Sequence, residues 1–228
     1  MLNWAARYYP ILRVLRRHLD RCDSLLEVGS GPVGIGKYYR RAFIGCDVRF
    51  DWNPEAPMVP VVATATGLPF GDKSFDAVVV SDVLEHVPPA ARNAVIRESL
   101  RVTREIAVFG FPSGSKALEY DQKLAEDYDR RRQPRPIWLQ EHMAYPFPTE
   151  DLFDDLRGEW TVSDFGNENV EFHYWTMRRE MRRLWLYLFM ICLAMLPRTI
   201  ESMLRRTDCE PYYRKIVVIR RLTKSRAG

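Results

Sequence analysis

A short apolar pair, Leu25-Leu26, passes through an acid, Glu27, into a turn carrying Gly29, Gly31 and Gly34, and a second acid follows at Asp47. No other stretch of the chain restricts its fold as strongly. A strand that empties into glycines lets backbone approach a ligand that a side chain would exclude. A helix beginning there presents its free N–H groups at the same point. An acid about 20 residues on is placed to accept hydrogen bonds from ribose hydroxyls. The combination predicts an α/β unit that binds a nucleoside-containing cofactor. The glycines alone also satisfy the dinucleotide fingerprint G-x-G-x-x-G, so they leave the cofactor's identity open.

A second motif narrows that choice. Leu68-Pro69-Phe70-Gly71-Asp72-Lys73-Ser74-Phe75-Asp76 leads through the β-branched run Val78-Val79-Val80 to Ser81-Asp82-Val83-Leu84-Glu85-His86. In this order and spacing the two motifs resemble the class I S-adenosylmethionine-dependent methyltransferases, type 11, the group that includes ubiquinone and menaquinone methyltransferases. The resemblance is close from about Leu25 to Pro112 and holds only in outline beyond. It implies S-adenosyl-L-methionine as cofactor, with Glu27 facing the amino-acid end, Gly29 and Gly31 against the nucleoside, and Asp47 on both ribose hydroxyls. For Glu27 the plainer alternative is a carboxylate capping the turn, and for Asp47 it is Asp51, four residues later. Gly34 stands one place beyond the family's usual third glycine. Where many relatives carry an acid on the adenine amino group this chain has Thr64, an uncharged partner. Adenine recognition then falls to backbone at Ala65 and packing by Leu68.

The same resemblance sets Ser81, at the end of the fourth strand, beside the cofactor, and the residues just after that strand on the methyl-transfer side. Asp82 is the candidate base or acceptor-orienting group, with a helix-capping carboxylate as the alternative. His86 has a titratable imidazole, but its motif is shared by relatives with different substrates, which favours a structural role. His142 lies where substrate loops gather after the fifth strand and is a third catalytic candidate. An in-line displacement at a sulfonium gains chiefly from alignment and exclusion of water, so a conspicuous catalytic triad is not required.

The element order supports a Rossmann-like doubly wound sheet, mostly parallel, seven-stranded, with the last strand antiparallel. Strands are predicted at Ser24–Val28, Ala42–Asp47, Val59–Ala63, Ala77–Ser81, Glu105–Phe111, Trp160–Phe165 and Tyr213–Arg221, and helices at Trp4–Leu19, Gly34–Arg41 and Ala90–Arg101. Alternating strands and helices with an unbroken β-branched central run call for such a sheet. At 228 residues the chain forms one domain, 1–228, with a helical insertion over 172–210. A net charge of +4 makes no case for nucleic acid. Four cysteines show no metal-ligand spacing, so no metal is expected. Arginines interrupt any apolar core in Leu2–Asp20, which argues against a signal peptide and for a cytoplasmic setting with reduced thiols.

Leu184 to Leu196 is thirteen uninterrupted apolar or aromatic residues, flanked by Arg182-Arg183 and Pro197-Arg198. As a helix it reaches about 20 Å, short of the ~30 Å of a bilayer core. Apolar on all sides, it is expected to be buried in something all round. Three covers stand open: a membrane surface, which would make the chain peripheral on the cytoplasmic face, the protein's own core or a lid, and a dimer interface. The acceptor is expected to be a small molecule or a lipid-like one. A cofactor-binding module without catalysis and a nicotinamide-dependent oxidoreductase are the competing functions, and the second leaves the Leu68–Asp76 and Ser81–His86 motifs without a role.

Overall fold

The structure, a computed structural model, describes residues 2–19, 22–156 and 160–222. Seven strands form one sheet in the order β3-β2-β1-β4-β5-β7-β6. They are β1 (Leu25–Val28), β2 (Phe43–Asp47), β3 (Met58–Val62), β4 (Phe75–Ser81), β5 (Thr103–Pro112), β6 (Trp160–Asn169) and β7 (Tyr212–Arg221). β7 runs antiparallel to both β5 and β6, and the remaining neighbours pair parallel. Every residue of β4 is buried, as a central strand covered on both faces must be.

The period of two along β4 divides the core. Ala77 and Val79 face one layer, where Ile11, Leu12 and Leu15 of helix α1 (Leu2–His18) pack with Ile216 and Val218. Val78 and Val80 face the other, against Val95, Ile96 and Leu100 of α2 (Pro89–Val102). Burying a Val, Leu or Ile side chain in this way stabilises by roughly 1.5–3 kcal/mol each. Both layers leave the C-terminal ends of β1, β2 and β4 uncovered by helices, and their loops meet there.

The helix expected over Gly34–Arg41 is absent. A single 3-10 turn, Gly34–Lys37, replaces it, with no side-chain cap at Val33. Gly34 and Gly36 both fall inside it, and each glycine costs a helix about 1 kcal/mol relative to alanine. Tyr38 and Tyr39 then turn onto aromatic partners, Tyr9 and Phe43. Between β5 and β6 lie α3 (Gly114–Arg130) and α4 (Ile137–His142), which carry side chains of the site.

Three helices separate β6 from β7: α5 (Val170–Glu180), α6 (Arg183–Met195) and α7 (Pro197–Arg206). α6 is not buried all round. Phe189 is its only buried residue, in a cluster with Ala5, Ala6 and Leu204, while Leu184, Tyr187, Leu188, Ile191 and Met195 are exposed. α1, α5 and α7 cover its other face, and α6 meets α7 at a bend of 110°.

Candidate functional site

Gly29, Gly31 and Gly34 all have positive φ (72°, 54° and 51°), a region that L side chains enter only under strain. Two of them also have no room for a side chain. A Cβ on Gly29 would sit 2.2 Å from Val83 Cγ2, so the turn after β1 closes directly onto the turn after β4. A Cβ on Gly34 would meet Glu27 Oε2 at 2.1 Å. The role of Gly34 is therefore to admit the Glu27 carboxylate.

Glu27 is 1% exposed and its Oε2 accepts the Ile35 N–H at 2.7 Å. One oxygen thus caps the turn, the plainer of its two expected roles. The other, Oε1, is sealed from solvent with no hydrogen-bond partner among the described residues. Burial raises this carboxyl from its ordinary 4.5 to about 7, against the lowering pull of the Ile35 N–H. Asp47 Oδ2 accepts the Gly31 N–H at 2.8 Å, which ties the end of β2 to the glycine turn. Asp51 instead lies in the loop beyond, exposed and 3.2 Å from Arg49 Nε.

A cleft of about 520 Å³ opens over these strand ends. Gly29, Asp47, Thr64, Ala65, Asp82 and His86 all line it, together with the apolar side chains of Val48, Val83, Val87 and Val95. Its size, its one carboxylate on the β2 side and its apolar wall fit a purine nucleoside, and the partnerless Glu27 Oε1 fits a nearby cationic group. Four residues assigned to the cofactor from sequence, Glu27, Gly31, Leu68 and Ser81, do not line the cleft. Leu68 is 5% exposed and packed in the core, its N–H bonded to Glu98 Oε1 at 2.8 Å. Ser81 is 3% exposed and turned toward Gly110 of β5, because the strand period points it into the sheet. Glu27 and Gly31 stand just behind the lining.

Asp82 and His86 also line a second cavity, of about 320 Å³, and so form the partition between the two spaces. His142, Trp138, His173 and Tyr213 complete its walls with Arg7 of α1 and Arg214 of β7. The three catalytic candidates therefore converge on one chamber.

Asp82, at φ 51°, accepts two hydrogen bonds from Arg214, Nε and Nη2 both at 2.9 Å, and Arg7 Nη2 lies 2.6 Å away. Arg214 also pairs with the buried Glu168, which lies 3.2 Å from His173 Nδ1. Despite burial, the Arg214 and Arg7 guanidinium groups hold the Asp82 carboxyl well below the usual carboxylate range. So held, the Asp82 carboxylate is engaged by two guanidinium groups, an arrangement that suits orientation better than proton uptake. Nor does it cap the following turn: no side-chain cap is made at Val83. Its carboxylate holds the two arginines in the chamber wall.

The rings of His86 and His142 stand 5.0 Å apart. His86 Nδ1 lies 2.7 Å from Glu141 Oε2, and His142 Nδ1 bonds Asp121 Oδ2 at 2.7 Å. Tyr213 donates its hydroxyl to the same Asp121 at 3.0 Å. Burial, and then the neighbouring His142, lower the His86 pKa from its ordinary value. Arg7, Arg214 and Asp121 escaped the sequence reading, because their partners lie tens of residues away on other elements. The one available signal was Arg214 within the apolar β7 run.

Residues 26–110 match the family model described as a methyltransferase domain. Over 111 residues the chain is 36% identical to uncharacterized methyltransferases of Mycobacterium avium and Mycolicibacterium paratuberculosis, a match covering 42% of this chain. The matched stretch spans about two fifths of those relatives' lengths, 39% and 38%. Among solved structures, a SAM dependent methyltransferase from Archaeoglobus fulgidus aligns over 97% of this chain and 95% of its own, with TM-score 0.50 and 15% identity. The N-methyltransferase NodS from Bradyrhizobium japonicum, in complex with S-adenosyl-L-homocysteine, aligns over 95% and 86%, with TM-score 0.53 and 12% identity. At such identities the likeness is one of fold.

Proposed function

From the match of residues 26–110 to the methyltransferase-domain model, we propose that the chain transfers a methyl group from S-adenosyl-L-methionine to a small-molecule or lipid-like acceptor. The observation that carries the reading is the shared wall: Asp82 and His86 border both the cleft and the second cavity. Reactants held in those spaces would meet beside Asp82 and His86, since an in-line displacement needs the acceptor atom in direct contact with the methyl group.

The cofactor, when bound, supplies a methyl on a positively charged sulfur. Asp47 is placed to accept from the ribose hydroxyls, and the apolar wall of Val48, Val83, Val87 and Val95 to sandwich the base. Glu27 would compensate the ammonium of the amino-acid end through its partnerless oxygen. The second cavity receives the acceptor, between Trp138 and Tyr213, with Asp82 holding Arg7 and Arg214 rigid. Because the displacement disperses charge, alignment and exclusion of water contribute most, about 7–11 kcal/mol in favourable intramolecular models.

Calorimetry against S-adenosylmethionine, S-adenosylhomocysteine and NAD tests the assignment. The first two should bind and NAD should not; tight NAD binding without the others would reverse it. Incubating labelled cofactor with lipid and metabolite extracts then identifies the acceptor, and binding without any labelled product would leave a non-catalytic module.

The exposed face of α6 supports a lipid-side location. Among the described residues no single helix is long and apolar enough to cross a membrane. The exposed Leu184, Tyr187, Leu188, Ile191 and Met195 nevertheless form an apolar face flanked by Arg182, Arg183 and Arg198. Such a face suits partial insertion into an anionic surface. The wild type should sediment with anionic liposomes, and the double variant Leu188→Glu, Ile191→Glu should stay in solution while still binding cofactor. A wild type that ignores liposomes and is dimeric would give the face to a second copy.

A further inference from the structure

Between the two histidines of the partition lies a buried acid that the reading above leaves without a task. Glu85 is 1% exposed, and neither of its carboxylate oxygens has a hydrogen-bond partner among the described residues. Its Oε1 stands 3.9 Å from His86 Nε2 and 3.8 Å from His142 Nε2. Both distances are too long for hydrogen bonds. A buried carboxylate left in this state is costly unless something else satisfies it.

We propose that Glu85, His86 and His142 bind one divalent transition-metal ion of the zinc type at the edge of the second cavity. Donor atoms of the three residues lie within 4.8 Å of one another. A tetrahedral ion with bonds of 2.0–2.1 Å needs donors about 3.3 Å apart, so the two Glu85–histidine spacings close by roughly half an ångström on binding and the histidine–histidine spacing, within 4.8 Å, by at most about 1.5 Å. The groups behind the donors are the stronger indication. Metal-bound histidines usually give their other ring nitrogen to a carboxylate, which fixes the tautomer and orients the ring. Here His142 Nδ1 bonds Asp121 Oδ2 at 2.7 Å, and His86 Nδ1 has the Glu141 carboxylate 2.7 Å away. Tyr213 in turn fixes Asp121 through its hydroxyl.

Two imidazoles and one carboxylate suit borderline ions and exclude a preference for calcium or magnesium, which take all-oxygen shells. No cysteine joins the set; of the other acids nearby, Glu141 and Asp121 sit behind the histidines, and Asp82 is held by Arg214 and Arg7. Glu85 closes the site from the core side. His86 and His142 open it to the cavity, which leaves a coordination position facing that space. On the methyltransferase reading, an oxygen or nitrogen of the acceptor would fill it, so the acceptor would be a metal-chelating molecule; the binding of the ion itself does not depend on that reading.

The test uses the full chain, stripped with a chelator and titrated with Co²⁺ and Zn²⁺. One Co²⁺ per chain should bind, with the visible absorption of a four- or five-coordinate nitrogen and oxygen site, and Zn²⁺ should displace it. Glu85→Gln and His142→Ala should each lower affinity at least 100-fold, and Asp121→Asn by about 10–100-fold. Circular dichroism and S-adenosylhomocysteine calorimetry on the same samples report the fold and the cofactor cleft separately. If His142→Ala does not fold, the isosteric Glu85→Gln and Asp121→Asn decide the matter. A wild type that takes up no stoichiometric ion, or binding that survives in Glu85→Gln, overturns the site. Ion binding without S-adenosylhomocysteine binding would keep the site and reject the proposed function.

Discussion

Glu27, buried near the end of β1, and Asp82, half-buried just past β4, stand at neighbouring strand ends and have opposite electrostatic fates. Burial raises the Glu27 pKa to about 7, against the lowering pull of the Ile35 N–H, the Tyr8 hydroxyl and the Arg7 charge. Asp82 faces two guanidinium groups, which overcome its burial and hold its pKa low. Behind the cofactor cleft, Glu27 keeps one carboxylate oxygen without a hydrogen-bond partner among the described residues, whereas Asp82 in the wall of the second cavity is held by Arg214 and Arg7. A region awaiting a charged ligand and a region built as a rigid wall differ in this way.

The largest expected effect is at Arg214. Arg214→Met removes the partner of two acids, Asp82 and Glu168, and should destabilise the fold by about 3–5 kcal/mol in urea unfolding. A loss under about 1 kcal/mol would mean that the second cavity is not held by this network.

Next comes the pH dependence of Glu27. Its folded pKa lies above the ordinary 4.5, so the folded protein binds the extra proton between about 4.5 and 7. The contribution is full below pH 4.5 and is lost as pH rises through 7, by at most about 3 kcal/mol. Glu27→Gln keeps an acceptor for the Ile35 N–H and should flatten this decline, making the ligand-free protein more stable than wild type at pH 8. Parallel stability curves for the two proteins would show that the acid is already compensated. Asp82 has the reverse sign: with a lowered folded pKa, its contribution is present above the ordinary carboxylate value and lost as pH falls.

Asp47→Ala should weaken cofactor binding by about tenfold or more, a loss of roughly 1.5–3 kcal/mol for a bond to an ionised group. Calorimetry reads it directly, and an unchanged dissociation constant would move ribose recognition elsewhere. The smallest change is expected at Gly31, where a Cβ meets nothing within 4 Å. Gly31→Ala should cost only the about 1–2 kcal/mol of placing a side chain at φ 54°. A larger loss in thermal unfolding would reveal crowding at the turn.

The two regions also differ in how far they were legible beforehand. Gly29, Asp47, Thr64 and Ala65 converge on the cleft as expected, because each sits at the end of a strand or in the turn that follows it. Leu68 and Ser81 belong to the same segments but point inward, since a family pattern locates a residue along the chain without stating which way its side chain faces. The missing helix after Gly34 followed from two glycines visible in the sequence.

By itself, then, the sequence determined the seven strand segments, the glycine turn and the acid of the cleft, all of which depend on spacing and period within short segments. Only the tertiary structure decided the second cavity. Arg7 and Arg214 reach Asp82 from α1 and β7, and His142 reaches His86 and Glu85 from α4. Charges and imidazoles act through distance in space, and no local pattern records which distant elements the sheet will bring within a few ångströms of one another.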